Sequence, residues 1–491
     1  MSEKMQKMPS GVAPLYYIQA FSTFSFAILY SSLALFLTQQ LGYSQTASNS
    51  IVGLFLAFNF VLHLFGGMIG GSLLSNRNLY FITSIMQCVG MLLLAISPQT
   101  TLFIGLSLFL VGCGLNTTCY NTMLTQRFKA DDNRRETAFF SSYSWMNAGF
   151  LAGYFLSGFY DFTNDYSQLF YIGVIVNALV LFVMLRHWPD LGDIDTTLQS
   201  IKEKSKKMSR ESVGLLTVLF MTPIIILCFK SAHISNGLVV AVSVAMFFVI
   251  LGLGFRQDSK EDKEKIFTYL ILTVTSILFW MIYYTGPMGI TLFIKNNVDK
   301  HLFNYEIATQ WINNINSFVI ILGAPLVAWV VSTLQNKGYQ LPESKQFVFA
   351  FLFLAVSFLL LSMGIKFSDI AGRTALYWVF LHIFTQGFAE LLIGPVGYAM
   401  IGRIAPTHLQ GLLMGTWMMV SGVSVALSHY FSNEMVKTNA TDPLITNADY
   451  AHVFNQLGGW AILGALFLYF ISYKISKHMA ENKESVEALS H

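Results

Sequence analysis

Residues 14–38 read PLYYIQAFSTFSFAILYSSLALFLT, a run of 25 without a single Lys, Arg, Asp or Glu. A helix that crosses a bilayer needs about 20 mostly apolar residues, so this stretch predicts a membrane span. Met1 to Gly11 ahead of it carries only Lys4 and Lys7, and no small-residue cleavage site follows, so no removable signal is expected. The pattern then repeats. Apolar runs lie at 49–72, 79–97, 101–124, 138–160 and 167–186, at 212–229 and 235–254, and at 267–294, 310–333, 346–365, 374–401, 409–432 and 451–473. Six spans, a hairpin of two and six more predict an all-α polytopic membrane protein with about fourteen transmembrane helices.

Composition points the same way. Of 491 residues, 54% are hydrophobic and only 11% charged, with a mean hydropathy of +0.56. A soluble domain carries about 25% charged residues, so water-soluble folds and disordered tails are excluded. A net charge of +3 leaves no basic footprint for nucleic acid. Cys88, Cys113, Cys119 and Cys228 all fall in apolar runs, at spacings that fit neither a disulfide framework nor a zinc site. They read as small buried hydrophobes, and no metal or cofactor is expected.

The distribution of cations gives the orientation. With the N-terminus inside and sides alternating, only Lys230, Lys295, Lys300, Lys366, Arg373 and Lys437 fall outside, and the other 23 of the 29 Lys and Arg fall inside. Both termini are therefore expected in the cytoplasm of a plasma (bacterial inner) membrane. The basic stretch 187–211, with Lys202, Lys204, Lys206, Lys207 and Arg210, separates the halves. The expected organisation is an N-terminal six-helix bundle at 1–186, a linker with two extra helices at 187–265, and a C-terminal bundle with its tail at 266–491. Two six-helix halves match the pseudo-twofold design of secondary transporters. Gly66-Gly67 in the second span and Gly323-Ala324-Pro325 in the eighth of the twelve outer spans support that symmetry mildly, because membrane helices use glycine for packing alone.

Of the 55 formal charges, 54 fall in loops or at span ends. The exception is Glu390, in Gln386-Gly387-Phe388-Ala389-Glu390-Leu391-Leu392-Ile393-Gly394-Pro395. A carboxylate at mid-bilayer costs at least ~2.5 kcal/mol, so it faces a wet cavity or a partner, or it is protonated. The bland reading is a neutral carboxyl bonded between helices; the functional one is a solute contact or a proton site. Gly394-Pro395 just beyond it predicts a broken helix bordering a cavity. Gly286-Pro287 predicts a break in the seventh span after Trp280, Tyr283 and Tyr284, although such a kink is often a simple bend. Polar residues at membrane depth include Gln19, Ser22, Thr23, Asn116, Thr117, Asn147 and Asn316. Ser and Thr usually bond their own helix, whereas an Asn amide is not fully satisfied that way. His63 and His382 read as satisfied core histidines, and His382, about 12 Å along the helix from Glu390, is not expected to pair with it.

Several stretches resemble the proton-dependent oligopeptide transporter (POT) family of the major facilitator superfamily. Gly387-Phe388-Ala389-Glu390-Leu391 with Gly394-Pro395 resembles its tenth-span signature. Phe140-Ser141-Ser142-Tyr143-Ser144-Trp145-Met146-Asn147-Ala148-Gly149 resembles its fifth-span Phe-Tyr-x-x-x-Asn-x-Gly motif. Phe279-Trp280 with Thr291-Leu292-Phe293, Asn316 with Gly323-Ala324-Pro325, and Met414-Gly415-Thr416-Trp417 are similar to its seventh, eighth and eleventh spans. The central hairpin is typical of bacterial members. The likeness covers nearly the whole chain and implies a major facilitator fold, with a solute site drawing on Glu390, Asn147, Asn316, Tyr30, Thr117, Trp280, Tyr284, Trp417, Gln19 and Thr23.

The departures from that family are specific. Its first-span Glu-x-x-Glu-Arg corresponds to Gln19, Ser22 and Thr23 here, a second arginine of that helix to Tyr30, and its fourth-span lysine to Thr117. The superfamily loop after the second span keeps Arg77 but has Gly71 in place of the usual Asp. A seventh-span acid common among relatives falls at Tyr283 or Tyr284. The resemblance implies that relatives hold a peptide carboxylate with those cations and its ammonium with the tenth-span glutamate. Every cation of that clamp is missing here, and charge-assisted bonds are about twice as strong as neutral ones.

The expected function is secondary transport of a small peptide-like or amine-bearing solute by alternating access. Symport with protons through Glu390 is expected, in a functional monomer whose partners are the solute, protons and the lipid bilayer. Rival readings are a carrier of another metabolite (a polycarboxylate or a siderophore-like compound), an uncoupled facilitator, and a non-transporting receptor. An enzyme is disfavoured, because one intramembrane carboxylate supplies neither a nucleophile–base pair nor a metal-ligand set.

Overall fold

The computed structural model describes residues 8–129, 132, 134–337, 343–404 and 410–489. Lys4 and Lys7 lie outside them, as do the side chains of Pro395, Arg403, Met414, Gly415 and residues 473–489. The helices are α1 (Val12–Leu35, continued by a π-type turn Phe36–Gln40), α2 (Gln45–Ile69), α3 (Asn76–Ile96), α4 (Pro98–Thr125), α5 (Arg134–Asp161), α6 (Tyr166–Arg186), α7 (Lys204–Lys230) and α8 (Ala232–Phe255). After these come α9 (Lys260–Tyr283), α10 (Thr291–Asn297), α11 (Thr309–Asn336), α12 (Glu343–Lys366), α13 (Leu376–Ile404), α14 (Gln410–Met435) and α15 (Pro443–Leu489). With α9 and α10 as one interrupted passage, a helix stands at each of the fourteen predicted spans. Twelve are long and apolar enough to cross a membrane by length and composition. The other two are α5 and α14, which dilute their apolar residues with Ser142, Ser144 and Asn147, and with Ser421, Ser424, Ser428 and His429.

The chain packs as two compact units, residues 1–42 with 58–232 and residues 43–57 with 233–491. In the first, α1 lies against α5 and α6, α3 against α4 and α6, and α7 against α4. Its helix ends are tied by loop residues. Asp193 accepts from the backbone N–H of Asn76 (2.8 Å) and of Arg77 (3.2 Å) at the start of α3, where a carboxylate also complements the helix dipole. Arg127 donates to the carbonyls of Asp190 and Gly192.

In the second unit, α12 packs on α13 and α15, α11 on α13, and α9 on α14. Two-residue strands β1 (Val298–Asp299) and β4 (Thr374–Ala375) pair in parallel, and β2 (His301–Leu302) and β3 (Tyr305–Glu306) form a small hairpin. The first half of α2 belongs here: Asn49 Nδ2 donates to the Ser432 carbonyl at 2.9 Å, and Asn236 Nδ2 of α8 donates to the Ser50 carbonyl at 2.9 Å. Otherwise α8 is nearly bare, with 11% of its apolar window buried, as suits a helix facing lipid.

One predicted break is real and one is not. After Tyr283 the backbone leaves the helix at 284–290, where Met288 has φ −115° and ψ −105°. By contrast α13 runs unbroken through Gly394-Pro395. A proline removes one N–H and its bond, and a membrane helix absorbs that loss by local adjustment, so the expectation of a broken helix there is corrected.

Candidate functional site

Glu390 projects from α13 toward α9 and α11. Its Oε2 accepts a hydrogen bond from the Tyr283 hydroxyl at 2.6 Å and another from Asn316 Nδ2 at 3.1 Å. The same amide nitrogen also donates to the Tyr283 oxygen at 3.1 Å, closing a triangle of three side chains from three helices. Glu390 is half-buried and forms no ion pair among the described residues. Both donors are neutral, so the carboxyl is oriented without being neutralised, and Oε1 is left for a further partner.

Backbone geometry makes the triangle possible. A Cβ on Gly387 would stand 2.6 Å from Val319 Cγ1 and 3.1 Å from Asn316 Oδ1, so only glycine lets α13 approach α11 closely enough for the 3.1 Å bond. Tyr283 is the last residue of α9 before the break. Its ring is fixed edge-on to Trp280 (5.2 Å) and Tyr284 (5.6 Å), so an aromatic cluster backs the hydroxyl that meets Glu390.

Of the ten residues expected at the site, five lie in each unit. In the second unit, Glu390 and Asn316 are directly bonded, and Trp280 and Tyr284 flank them through Tyr283. Trp417 is buried and packs on Tyr269 with ring centres 6.4 Å apart, while the Tyr269 hydroxyl donates to the Leu413 carbonyl at 2.9 Å; its surroundings are those of a core residue. In the first unit, Gln19 is half-buried and Thr117 exposed. Tyr30 stacks on Phe26 (5.6 Å) and meets Tyr154 edge-on (6.2 Å). Asn147 Nδ2 donates to the Tyr143 carbonyl one turn back, at 2.8 Å, which uses one side of its amide. Thr23 is buried where α1 meets α5: a Cβ on Gly149 would sit 3.0 Å from Thr23 Cβ and would collide with the Ala20 carbonyl. The glycine of the fifth-span motif is thus a close-packing device.

Three polar residues have structural roles. The Asn116 oxygen accepts from Thr83 Oγ1 in the core. Ser22 Oγ bonds Tyr80 Oη at 2.7 Å. His382 is buried with Nδ1 2.6 Å from Ser357 Oγ, as a core histidine should be, and it is no partner of Glu390.

Tyr283 is the functional neighbour that the choice of Tyr284 passed over. The available signal was helical spacing: residues 280 and 283 are three apart and share a face. A tyrosine where relatives have an acid also replaces like-charge repulsion toward Glu390 with a hydrogen bond.

An acid held at membrane depth by uncharged donors, within a many-helix membrane protein, is the arrangement secondary transporters use for a solute or coupling ion. Comparison with known proteins narrows that class. The sequence profile of PTR2, the POT family, matches residues 77–450, and the chain belongs to this family. It is a multi-pass membrane transporter with the major facilitator fold, and not an enzyme. Among its relatives, the dipeptide and tripeptide permease B of Salmonella typhimurium is 27% identical over 461 residues, covering 92% of each chain. Two solved structures share the fold: the peptide transporter POT in complex with sulfate (TM-score 0.84, 19% identity, 97% of each chain) and the tetrameric PepTSo2 (TM-score 0.83, 18% identity, 95% of this chain and 98% of that one).

Proposed function

We propose that this transporter carries a small solute bearing an amine, such as a peptide whose carboxylate is masked, with Glu390 as both the ammonium contact and the proton-coupling group. The observation that carries this reading is the Glu390 triangle. Tyr283 and Asn316 bond Oε2 and leave Oε1 for an ammonium or a proton. Protonation cancels the charge, and the charged and neutral forms favour different packings of the residues around them.

The membrane-depth parts of α1, α4 and α5 contain no Lys or Arg, which supports the preference for a masked carboxylate. Gln19, Thr23, Tyr30, Thr117 and Asn147 are the neutral groups the first half offers at positions where the resemblance places charges or the motif amide. Relatives named for dipeptides and tripeptides support a peptide-like cargo. A polycarboxylate suits these groups poorly, for want of cations.

In this reading the bundles are residues 1–186 and 266–491, joined by the insertion at 187–265. Both termini face the cytoplasm of a bacterial inner membrane, and a single chain suffices for transport. The test is uptake competition in proteoliposomes. Dipeptides with an amidated or esterified C-terminus should compete better than the same dipeptides with a free carboxylate. Free dipeptides competing well while capped ones do not would overturn the reading.

A further inference from the structure

In the first unit, a groove of about 400 Å³ opens beside the start of α7. Its walls are apolar, from Leu74, Phe81, Ile82, Trp188, Met208 and Leu215, and its polar lining is Asn78, Ser212 and Glu211. Glu211 is the only charged residue in it, and it is also the last charge before the eighteen uncharged residues 212–229. The groove therefore lies at the depth where an apolar span meets lipid headgroups, the level at which tryptophans collect.

The site is built rather than incidental. Trp188 is fixed on two sides: the Arg77 guanidinium carbon sits 4.2 Å from its ring centre, and Phe81 meets it edge-on at 5.3 Å. Its carbonyl accepts from Arg77 Nη1 at 2.8 Å. One turn beyond Glu211, α7 is pressed against the turn before α3, where a Cβ on Gly214 would stand 2.8 Å from Leu74 Cγ. The Glu211 carboxylate forms no ion pair among the described residues, although Lys204, Lys206, Lys207 and Arg210 precede it on the same helix. Neither the Glu211 carboxylate nor the Asn78 amide has a hydrogen-bond partner there.

We infer that this groove binds a phospholipid whose headgroup ends in a primary ammonium. The ammonium meets Glu211, the phosphate lies toward the basic first turns of α7, and the glycerol and upper acyl chains fill the apolar walls. Charge decides among lipids. An anionic headgroup with no cation brings a like charge to Glu211, and a quaternary ammonium has no N–H to donate to the carboxylate. The proposed orientation of the chain assigns the lipid to the cytoplasmic leaflet; the groove and its chemistry do not depend on the transport reading.

The test uses the full-length protein in detergent, mixed with equimolar phosphatidylethanolamine, phosphatidylcholine and phosphatidylglycerol of one acyl composition, with retained lipid counted by native mass spectrometry. Phosphatidylethanolamine should be retained preferentially. Glu211→Gln should lower that preference about fivefold, the scale of one charge contact at a membrane surface, and Phe81→Ala should lower retention of all three. Thermal unfolding of each variant establishes that it is folded, and a folded Leu215→Ala serves as a second probe of the wall if Phe81→Ala is not. Equal retention of the three lipids by the native protein, or an unchanged preference in Glu211→Gln, overturns the assignment.

Discussion

Replacing Tyr283 by Phe removes one oxygen and leaves the ring where Trp280 and Tyr284 hold it. The lost contact is the 2.6 Å bond to Glu390 Oε2, within the range of an O–H donor to a charged carboxylate. A hydrogen bond to a charged group contributes about 1.5–3 kcal/mol, and Asn316 at 3.1 Å is then the only donor left. The ionised carboxylate is destabilised relative to the neutral acid, so a proton binds more tightly. At 1.36 kcal/mol per pH unit, the loss corresponds to about one to two units. The assay is initial uptake into proteoliposomes as a function of pH. Half-maximal coupled uptake in Tyr283→Phe should move toward higher pH by about one to two units, with thermal stability close to that of the native protein. A profile that superimposes on the native one would refute the view that Tyr283 poises Glu390.

Two further outcomes follow from the same geometry. Gly149→Ala sets a Cβ into the Ala20 carbonyl and 3.0 Å from both Phe24 N and Thr23 Cβ, so α1 and α5 must part; overpacking of this kind costs about 1–3 kcal/mol, seen as a lower thermal midpoint in purified protein. Thr117→Lys adds a cation at an exposed position where the resemblance implies relatives carry one. Free-carboxylate dipeptides should then compete about tenfold better, the scale of one charged hydrogen bond, and an unchanged inhibition constant would count against the missing-clamp argument.

The succession of spans was legible in the sequence because apolar length is a direct reading of bilayer thickness. Residues 14–38 were expected and the helix with its turn occupies Val12–Gln40; residues 346–365 were expected and α12 occupies Glu343–Lys366. Ends carrying charge were read short. α9 begins at Lys260 and α15 runs on to Leu489, since a helix need not stop where the hydrocarbon does. Glu390 was legible from its cost alone.

Its partners were not fully legible, because a span apolar all round gives no rotational phase. Asn316 and Asn116 look alike in sequence, yet one bonds Glu390 and the other is buried against Thr83. Tyr283 and Tyr284 are adjacent, and only the break at 284–290 decides which one ends α9 facing α13. Gly394-Pro395 promised a break that the helix absorbed. Chemistry was readable where a residue type is expensive in its setting, and unreadable where geometry alone separates two affordable choices.

The most direct measurement is proton-driven uptake by Glu390→Gln in proteoliposomes with an imposed pH gradient. The glutamine keeps shape and hydrogen bonding but cannot titrate. The account predicts that pH-driven accumulation is abolished while the protein stays folded; a variant whose uptake and pH dependence match those of the native transporter would contradict it.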